Sequence, residues 1–423
     1  MPDDFRFLHE HADVTRRYFL NLGLTAAALA ASNTREVAAA HSTAQPQRPP
    51  EKAGAQPTPY FTSAENFRDI SRGKPIPHTL SEEDKAAAGI TRDTWKLNVI
   101  ADPAAPASLG KTFRSEDDTA IDFKTLLQIG EKSAVRFAKV MTCLNLGCPL
   151  GMGLWEGVPL RDILWMTQPK ENLRRVFYYG FHNNDPEQEF RSSLPAGRIL
   201  EDPAGLPPVI LCYKLNGEFL SSERGGPVRV VVPEHYGFKS IKWLTHIMLS
   251  NGFFANDTYG EQNNDVDSPM KTFAATLSAP QFLRPGDPIP VSGYAQVGIS
   301  GLQKVQVWLE DRNNPYSAAD DPYLQNAPWL DADLFPAPTD WSSLPGGKIP
   351  TSTFGFNEQG QPLEWPMRLT NAHWAVALPP QPAGEYNLRC RSVDANGIGQ
   401  PLPRPFRKSG HAAIETIRLS VSN

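Results

Sequence analysis

Alternating hydrophobic and polar positions in the first half of the chain predict short strands separated by brief helices. Residues 94–100 (TWKLNVI) have the two-residue period of a half-buried strand, and residues 133–143 (SAVRFAKVMTC) run as a strand into Cys143. Residues 122–130 (DFKTLLQIG) predict a short helix that ends at a glycine cap. Residues 157–166 (GVPLRDILWM) place apolar side chains on one face behind an early proline, which predicts a second short helix.

A β-hairpin is predicted around the Asn-Gly pair at 216–217, because this dipeptide between apolar runs favours a tight two-residue turn. Cys212 lies in its first strand and is expected to be a buried structural residue. Residues 227–249 predict a strand, a loop that begins with proline, and a second strand that carries Lys239 and Lys242.

The second half of the chain is predicted to be all β. From Met270 onward, short alternating strands are separated by Pro/Gly turns, without any sizeable segment of helical period. This pattern is typical of an immunoglobulin-like sandwich. Cys390 lies in one of these strands and has no evident partner in the sequence. The expected fold class is therefore α+β, with a mixed α/β domain over residues 60–269 followed by an all-β domain over residues 270–423.

The first 40 residues are interpreted as an export signal. An arginine pair in residues 15–20 (TRRYFL) precedes an apolar run of about 13 residues, too short to span a bilayer but typical of a signal peptide. Small residues make cleavage after Ala40 a reasonable expectation, and residues 41–59, rich in Pro, Gln and Ala, predict a flexible linker. The alternative is a cytoplasmic protein with an amphipathic N-terminal stretch. Twin-arginine export carries folded proteins, so it points to a cofactor inserted before export and to a periplasmic location.

Composition narrows the class of function. The 423 residues are 40% hydrophobic and 21% charged with a net charge of −5, without a basic stripe suited to nucleic acid. The 40 prolines and nine tryptophans favour loops and short strands. Four cysteines are too few for a disulfide scaffold, and without a C-x-x-C-H motif no haem attachment is expected.

Four stretches together have the motifs of one enzyme family. Residues 141–164 contain a cysteine followed by W-E-G-V-P-L, and residues 211–244 contain Y-K-L-N-G, G-G-P-V-R-V-V-V-P and G-F-K-S-I-K. Residues 389–401 are RCRSVDANGIGQP, and residues 66–77 are NFRDISRGKPIP. In these stretches the chain resembles the sulfite oxidase family of molybdopterin enzymes, which implies a sulfite-oxidase-type molybdopterin-binding domain followed by a dimerisation domain.

The resemblance implies one molybdopterin and one molybdenum per chain, with Cys143 as the thiolate ligand of the metal. A soft thiolate suits such a metal. Cys148 matches no motif position and is expected to be a structural loop thiol.

The same motifs imply which side chains surround the cofactor and substrate. Arg224 and His182 are predicted catalytic residues beside Cys143. Predicted cofactor-binding residues are Arg72, Arg229, Lys239, Lys242 and His235, because a pterin phosphate needs cations and backbone amides. The alternatives are a solvated strand edge for the two lysines and structural roles for the two histidines.

Two departures from the motif bear on the substrate. The run from Cys143 to Cys148 lacks the arginines that the family places after its cysteine, and Phe190 stands where the family has a tyrosine. Arg191 or Arg224 could supply the missing charge.

The expected function is a two-electron oxygen-atom transfer, sulfite-dehydrogenase-like with an altered substrate pocket, in a homodimer that passes electrons to an external cytochrome or quinone-linked protein. The alternatives are an S-oxide or N-oxide reductase and an exported binding protein without catalysis. A zinc hydrolase that uses His182 or His235 has less support, because neither H-E-x-x-H nor paired C-x-x-C motifs occur.

Overall fold

A computed structural model describes residues 59–255, 257–319, 321–401, 407–410 and 413–423. The predicted signal peptide and all but the last residue of the predicted linker lie outside the described residues. Within the described ranges, no helix is long and apolar enough to cross a membrane.

Strands dominate the described chain, and the few helices are short. In the first part of the chain the strands are β1 (Lys96–Ala101), β2 (Ile121–Asp122), β3 (Val135–Thr142), β4 (Pro149–Pro159), β5 (Arg175–Gly180), β6 (Ser192–Pro195), β7 (Ile210–Leu215), β8 (Glu218–Phe219), β9 (Arg229–Val231) and β10 (Leu244–Ser250). The α-helices are α1 (Glu82–Ala87), α2 (Phe123–Ser133), α3 (Leu160–Met166), α4 (Ala196–Leu200) and α5 (Thr258–Glu261). Single 3₁₀ turns occur at Ala64–Asn66, Pro77–Thr79, Pro186–Gln188, Gly237–Lys239 and Pro345–Gly347.

These elements build two sheets that share one core. The first sheet has the order β2-β1-β10-β5-β6, with β1 and β10 parallel. In the second sheet β3, β4, β7 and β8 are neighbours, and β9 pairs with β7. Helices α2, α3 and α4 place apolar side chains in the core between the sheets. The core includes Leu97, Val99, Leu126, Leu160, Tyr178, Leu211, Val230 and Ile247.

The later strands, with the exception of one short strand, form a separate sheet system with its own core. They are β11 (Phe273–Ser278), β12 (Phe282–Leu283), β13 (Ile289–Gln296), β14 (Lys304–Asp311), β15 (Leu330–Leu334), β16 (Thr353–Phe354), β17 (Asn371–Leu378), β18 (Gly384–Val393) and β19 (Glu415–Val421). The order is β11-β13-β17-β15-β14-β18-β19-β12, and β15 pairs with both β14 and β17. Thr276 on β11 donates to Cys390 Sγ on β18 at 3.4 Å, so these strands meet across the core. The strand-rich character predicted for this half is confirmed.

One segment of the second half returns to the sheet that carries Cys143. Strand β16 pairs in parallel with β3, matching Thr353 to Arg136 and Phe354 to Phe137. Apolar side chains from both halves pack here in one cluster. They include Tyr60, Phe61, Val140, Leu144, Trp341, Leu344, Ile349 and Met367. The sheet of Cys143 is therefore completed by residues that come late in the sequence.

The structure corrects the predicted end of helix α2. Asp122 caps the helix by accepting the amide of Thr125 at 2.7 Å, as the sequence indicates, but the helix continues through Gly130 to Ser133. A Cβ at Gly130 would lie 2.7 Å from the Tyr213 hydroxyl. This glycine is therefore a site of close packing rather than a cap, and both uses look alike in sequence.

The resemblance also implies a loop from Cys143 to Trp155, and this expectation is wrong. Strand β4 already begins at Pro149, and all of its residues are buried. A strand buried on both faces does not alternate hydrophobic and polar residues, so the two-residue period could not reveal it. The predicted hairpin is confirmed, with β7 and β8 joined by Asn216 (φ 53°) and Gly217 (φ 87°).

Replacing Gly157 in β4 by alanine is expected to destabilise the protein by ~1–3 kcal/mol, the usual cost of overpacking. The new Cβ would lie 2.2 Å from the carbonyl oxygen of Leu211, a backbone atom of the neighbouring strand that cannot move aside locally. The control is Gly197→Ala in α4, where a Cβ meets nothing within 4 Å and a helical alanine is favoured by ~1 kcal/mol. Free energies of unfolding from denaturant titration test this, and equal values for both variants would contradict it.

Candidate cofactor and substrate site

The two cysteines of the first motif lie at the neck of the hairpin between β3 and β4. We name residues 143–148 the cysteine loop. The amide of Cys143 donates to the carbonyl of Cys148 at 3.2 Å, and the amide of Gly147 donates to the carbonyl of Cys143 at 2.9 Å. Gly147 has φ 59°, which a side chain would disfavour. Both thiols are buried and neither is in a disulfide.

The thiols have different electrostatic surroundings. Burial raises the pKa of Cys143, but the backbone amides of Leu146 and Asn145 and the charges of Arg68 and Lys408 oppose the rise. Burial raises the pKa of Cys148 to about 12, with opposition mainly from Arg68. Since amides and cations favour a thiolate, Cys143 is the better placed of the two to act as an anionic ligand.

Arg68 connects the cysteine loop to the rest of the site, and the sequence analysis missed it. Its Nη1 lies 3.7 Å from Cys148 Sγ, and its carbonyl accepts a hydrogen bond from Arg224 Nη1 at 3.4 Å. The preceding residue, Phe67, packs in one cluster with Cys143 and lies 5.7 Å from the Arg224 guanidinium. The stretch NFRDISR contains two arginines, and the sequence motif singled out only the second, Arg72.

Two buried arginines, Arg224 and Arg229, and three half-buried residues, Lys242, His78 and Ser222, form what we name the basic cradle. Arg229 donates to the carbonyls of Arg224 (2.9 Å) and Ser240 (2.7 Å). Lys242 Nζ contacts Asp69, Ser71 and the carbonyl of Glu223, each at 2.7 Å. Trp243 donates to the carbonyl of Ser222 at 2.8 Å, and the His78 ring stacks on Trp243 at 6.3 Å.

Positive charge is concentrated in the basic cradle beyond what the two carboxylates in contact with it, Asp69 and Glu223, neutralise. Burial, together with the charge of Arg229, lowers the pKa of Lys242 to about 8, although Asp69 acts in the opposite direction. Burial likewise lowers the pKa of Arg229 to about 10. These shifts show that the cations lie close together in a partly dehydrated place.

The cradle also has unused hydrogen-bonding capacity. Four buried polar atoms of it have no partner: Arg224 Nε, Arg229 Nε, His78 Nδ1 and Ser222 Oγ. Buried polar atoms are normally paired, and unpaired donors beside excess positive charge fit an anionic group such as a phosphate. The residues present therefore fit the phosphate-bearing molybdopterin that the sequence implies.

Lys239, a predicted cofactor-binding residue, lies outside the basic cradle. Lys239 ends a 3₁₀ turn, and Lys242 precedes β10, so the prediction that both lysines lie on a strand is wrong. The alternative prediction, that they lie on a solvated strand edge, is wrong for the same reason. The Lys239 ammonium is fully buried, 2.7 Å from the carbonyl of Ser193 and 3.3 Å from Asp257 Oδ2. Burial lowers its pKa and Asp257 opposes the shift. This ion pair anchors the short helix α5, because Asp257 also accepts the amide of Gly260 at 2.9 Å.

Helix α5 presents an aromatic side chain to the cysteine loop. Tyr259 donates its hydroxyl to Asn145 Oδ1 at 2.9 Å. Its ring stacks on Phe238 at 4.3 Å and meets Phe190 edge-on at 5.5 Å. The predicted cofactor residue Arg72 lies over Phe190, 4.3 Å from the ring centroid. Arg72 is thus on the Tyr259 side of the cysteine loop, apart from the basic cradle.

The two predicted histidines lie outside both groups. His235 has Nδ1 3.4 Å from Glu234, and its carbonyl accepts from the buried ammonium of Lys139 at 2.9 Å. His182 Nδ1 lies 3.3 Å from the carbonyl of Gly180, and its ring meets Tyr179 edge-on. Among the residues that the structure describes, no three His, Cys, Asp or Glu side chains form a group suited to a metal.

Comparisons with known proteins identify the domain that contains these residues. Residues 120–256 match the family model of the oxidoreductase molybdopterin binding domain. This range includes the cysteine loop, Arg224, Arg229 and Lys242, but it excludes Arg68 and Arg72.

Similar proteins include oxidoreductases of two kinds. Sulfite oxidase from Gallus gallus is 35% identical in an alignment of 268 positions that covers 58% of this chain and 50% of the chicken protein. NADPH nitrate reductase from Beauveria bassiana is 25% identical over 196 residues, 45% of this chain and 20% of the fungal protein. The chain therefore spans half or less of the length of these two curated relatives.

A solved structure supports the fold. Sulfane dehydrogenase SoxCD from Paracoccus pantotrophus matches with a TM-score of 0.53 at 17% identity, over 79% of each chain. The chain carries a molybdopterin oxidoreductase domain and has sulfite oxidases and nitrate reductases as homologues, so the predicted class is confirmed at the level of this domain.

Asp257→Asn is expected to destabilise the protein by ~3–5 kcal/mol, because it removes the carboxylate that contacts the buried Lys239 ammonium. The matched control is Asp118→Asn, which removes an exposed carboxylate paired with Lys96 at 3.0 Å and is expected to cost less than ~1 kcal/mol. Thermal and denaturant unfolding measure both changes. Similar stability of the two variants would show that the buried pair contributes little.

Proposed function

We propose that this chain is a molybdopterin-dependent, sulfite-dehydrogenase-like oxidoreductase that oxidises a small sulfur oxyanion. One observation carries the proposal: within a molybdopterin oxidoreductase domain, a cysteine loop and a basic cradle with unpaired donors are joined through Arg68. The cysteine loop supplies a thiolate and the basic cradle supplies an anion-binding site, as a phosphate-bearing metal cofactor requires.

Each group of residues has its own task in this proposal. Cys143 holds the metal, and the loop amides together with Arg68 favour its thiolate form. Arg229, Lys242 and Arg224 hold the phosphate end of the cofactor. The bound molybdenum cofactor would supply two-electron oxygen-atom transfer. Cys148, buried and bonded by Arg68, keeps the loop in shape.

An oxyanion is the favoured substrate because cations from other parts of the chain act on the cysteine loop. The loop itself has no arginine, but the charges of Arg68 and Lys408 act on Cys143, and Arg72 lies beyond Tyr259. For sulfite the reaction is sulfite plus water to sulfate, two protons and two electrons. An external electron-transfer protein, a cytochrome or a quinone-linked protein, would take the electrons.

The arginine-free loop is the observation that favours a second candidate, reduction of a neutral S-oxide or N-oxide. Such a substrate needs a hydrogen-bond donor but no counter-charge. In that direction the substrate takes up two protons and two electrons and releases its oxygen as water; the external protein supplies the electrons and the solvent supplies the protons.

Organisation and location complete the proposal. Residues 60–269 are the catalytic domain and residues 270–423 an immunoglobulin-like dimerisation domain; the separate core of the later strands and the role of β15 in joining two groups of strands support this. The protein forms a homodimer, which light scattering on the mature chain tests. It is exported to the periplasm by the twin-arginine route after cofactor insertion, supported by the arginine pair in residues 15–20.

Cys143→Ser is expected to abolish molybdenum retention, whereas Cys148→Ser should retain the ~1 molybdenum per chain expected of the wild type, because only one thiolate serves as ligand. Metal analysis of protein purified from a host that makes molybdopterin measures this. Wild-type protein without molybdenum would overturn the oxidoreductase proposal in favour of a binding protein without catalysis. Equal loss in both variants would assign the ligand role to neither cysteine alone.

The loaded wild-type protein is expected to reduce an artificial electron acceptor with sulfite and to show little reduction of methionine sulfoxide or N-oxides with a reduced dye. The reason is the set of cations beside the cysteine loop, which favours an anion over a neutral oxide. Steady-state rates for each substrate decide between the two candidates. Faster S-oxide reduction than sulfite oxidation would reverse the assignment.

A further inference from the structure

We propose that Asn145, held in place by Tyr259, recognises an oxygen atom of the anionic substrate; this rests on the proposed function. Asn145 is the polar side chain in an otherwise apolar or glycine run, Leu144 to Gly147. It is exposed, whereas Leu144 and Gly147 beside it are buried. In the cysteine loop it is therefore the side chain able to offer hydrogen bonds to a small molecule.

The bond to Tyr259 sets the orientation of the Asn145 amide. The phenol hydroxyl donates to Oδ1 at 2.9 Å, so the amide nitrogen faces away from Tyr259. No acceptor on another described residue bonds to this Nδ2 atom. Its two N–H groups are left to bind an oxygen atom that reaches the cysteine loop.

Tyr259 is itself rigidly held. Its ring is stacked on Phe238 with an interplanar angle of 18° and meets Phe190 at 84°. Below it, Asp257 joins the start of α5 to the buried Lys239. A donor fixed in this way loses little conformational entropy on binding, so its hydrogen bond favours specificity.

Nearby charge selects the class of ligand. Arg72 lies 4.3 Å from the centroid of Phe190, which touches Tyr259. Lys408 comes from the second half of the chain, and its carbonyl accepts the amide of Asp265 at 3.0 Å. The next residue, Ser409, donates to Asp265 Oδ2 at 2.8 Å. The charges of Arg68 and Lys408 act on Cys143, and the charge of Arg72 acts on Tyr259. A neutral amide donor between these two residues fits a sulfur oxyanion.

The test uses sulfate as the probe, measured by isothermal titration calorimetry on the full mature protein. Asn145→Asp keeps an acceptor for Tyr259 but replaces the two donors by negative charge, and it is expected to weaken sulfate binding at least about tenfold. Tyr259→Phe releases the amide and is expected to weaken binding about three- to tenfold. The control Asn314→Asp makes the same chemical change at an exposed position without a side-chain hydrogen bond to described residues and should bind as the wild type does.

Sulfite kinetics and molybdenum content separate this proposal from the proposed function. Normal molybdenum in the Asn145→Asp variant, with a raised KM for sulfite and normal unfolding temperature, supports substrate recognition by Asn145. Sulfite oxidation with unchanged KM and sulfate affinity in both site variants would overturn this inference and leave the proposed function intact. Wild-type protein that binds no sulfate would also overturn it. A third outcome is that the wild-type protein oxidises no sulfite but binds sulfate, and that both site variants lose this binding. This result would support the anion site at Asn145 and would reject the proposed enzyme function.

Discussion

Buried positive charge in excess of buried negative charge is the constraint on which the site depends. Arg224, Arg229 and Lys242 are held together mainly by backbone carbonyls and by two carboxylates, Asp69 in contact with Lys242 and the half-buried Glu223 in contact with Arg224. Removing such groups from water costs free energy that hydrogen bonds to carbonyls offset only in part. An anion bound there would supply the missing interactions, so occupancy of the basic cradle and stability of the fold are linked.

The need for a counter-ion also explains the different positions of two lysines that are three residues apart. Lys242 faces Asp69 in the basic cradle, whereas Lys239 is turned to Asp257 beneath α5. The 3₁₀ turn that ends at Lys239 directs the two ammonium groups to different neighbours. Consequently, one lysine belongs to the basic cradle and the other supports the helix that carries Tyr259.

The sequence predicts best those features that depend on local pattern. The turn at Asn216 and the run of β3 into Cys143 follow from turn chemistry and strand period, and both are present. Gly130 was wrongly predicted to be a helix cap, because a cap glycine and a closely packed glycine look alike in sequence, and strand β4 was missed, because burial on both faces removes the periodic signal. Arg68 and Tyr259 belong to the site through contacts with residues far away in sequence, which one chain without its fold does not reveal.

The pairing of β16 with β3 has a consequence for the order of events during synthesis. Residue 136, just before the cysteine loop, is matched to residue 353, which leaves the ribosome much later. Contacts between residues so distant in sequence form slowly, and until they form the edge of β3 stays open to wrong partners. The pocket around Cys143 therefore reaches its final shape only once most of the second half has been made. A cofactor held there would therefore be fully enclosed only after residue 353 has been synthesised.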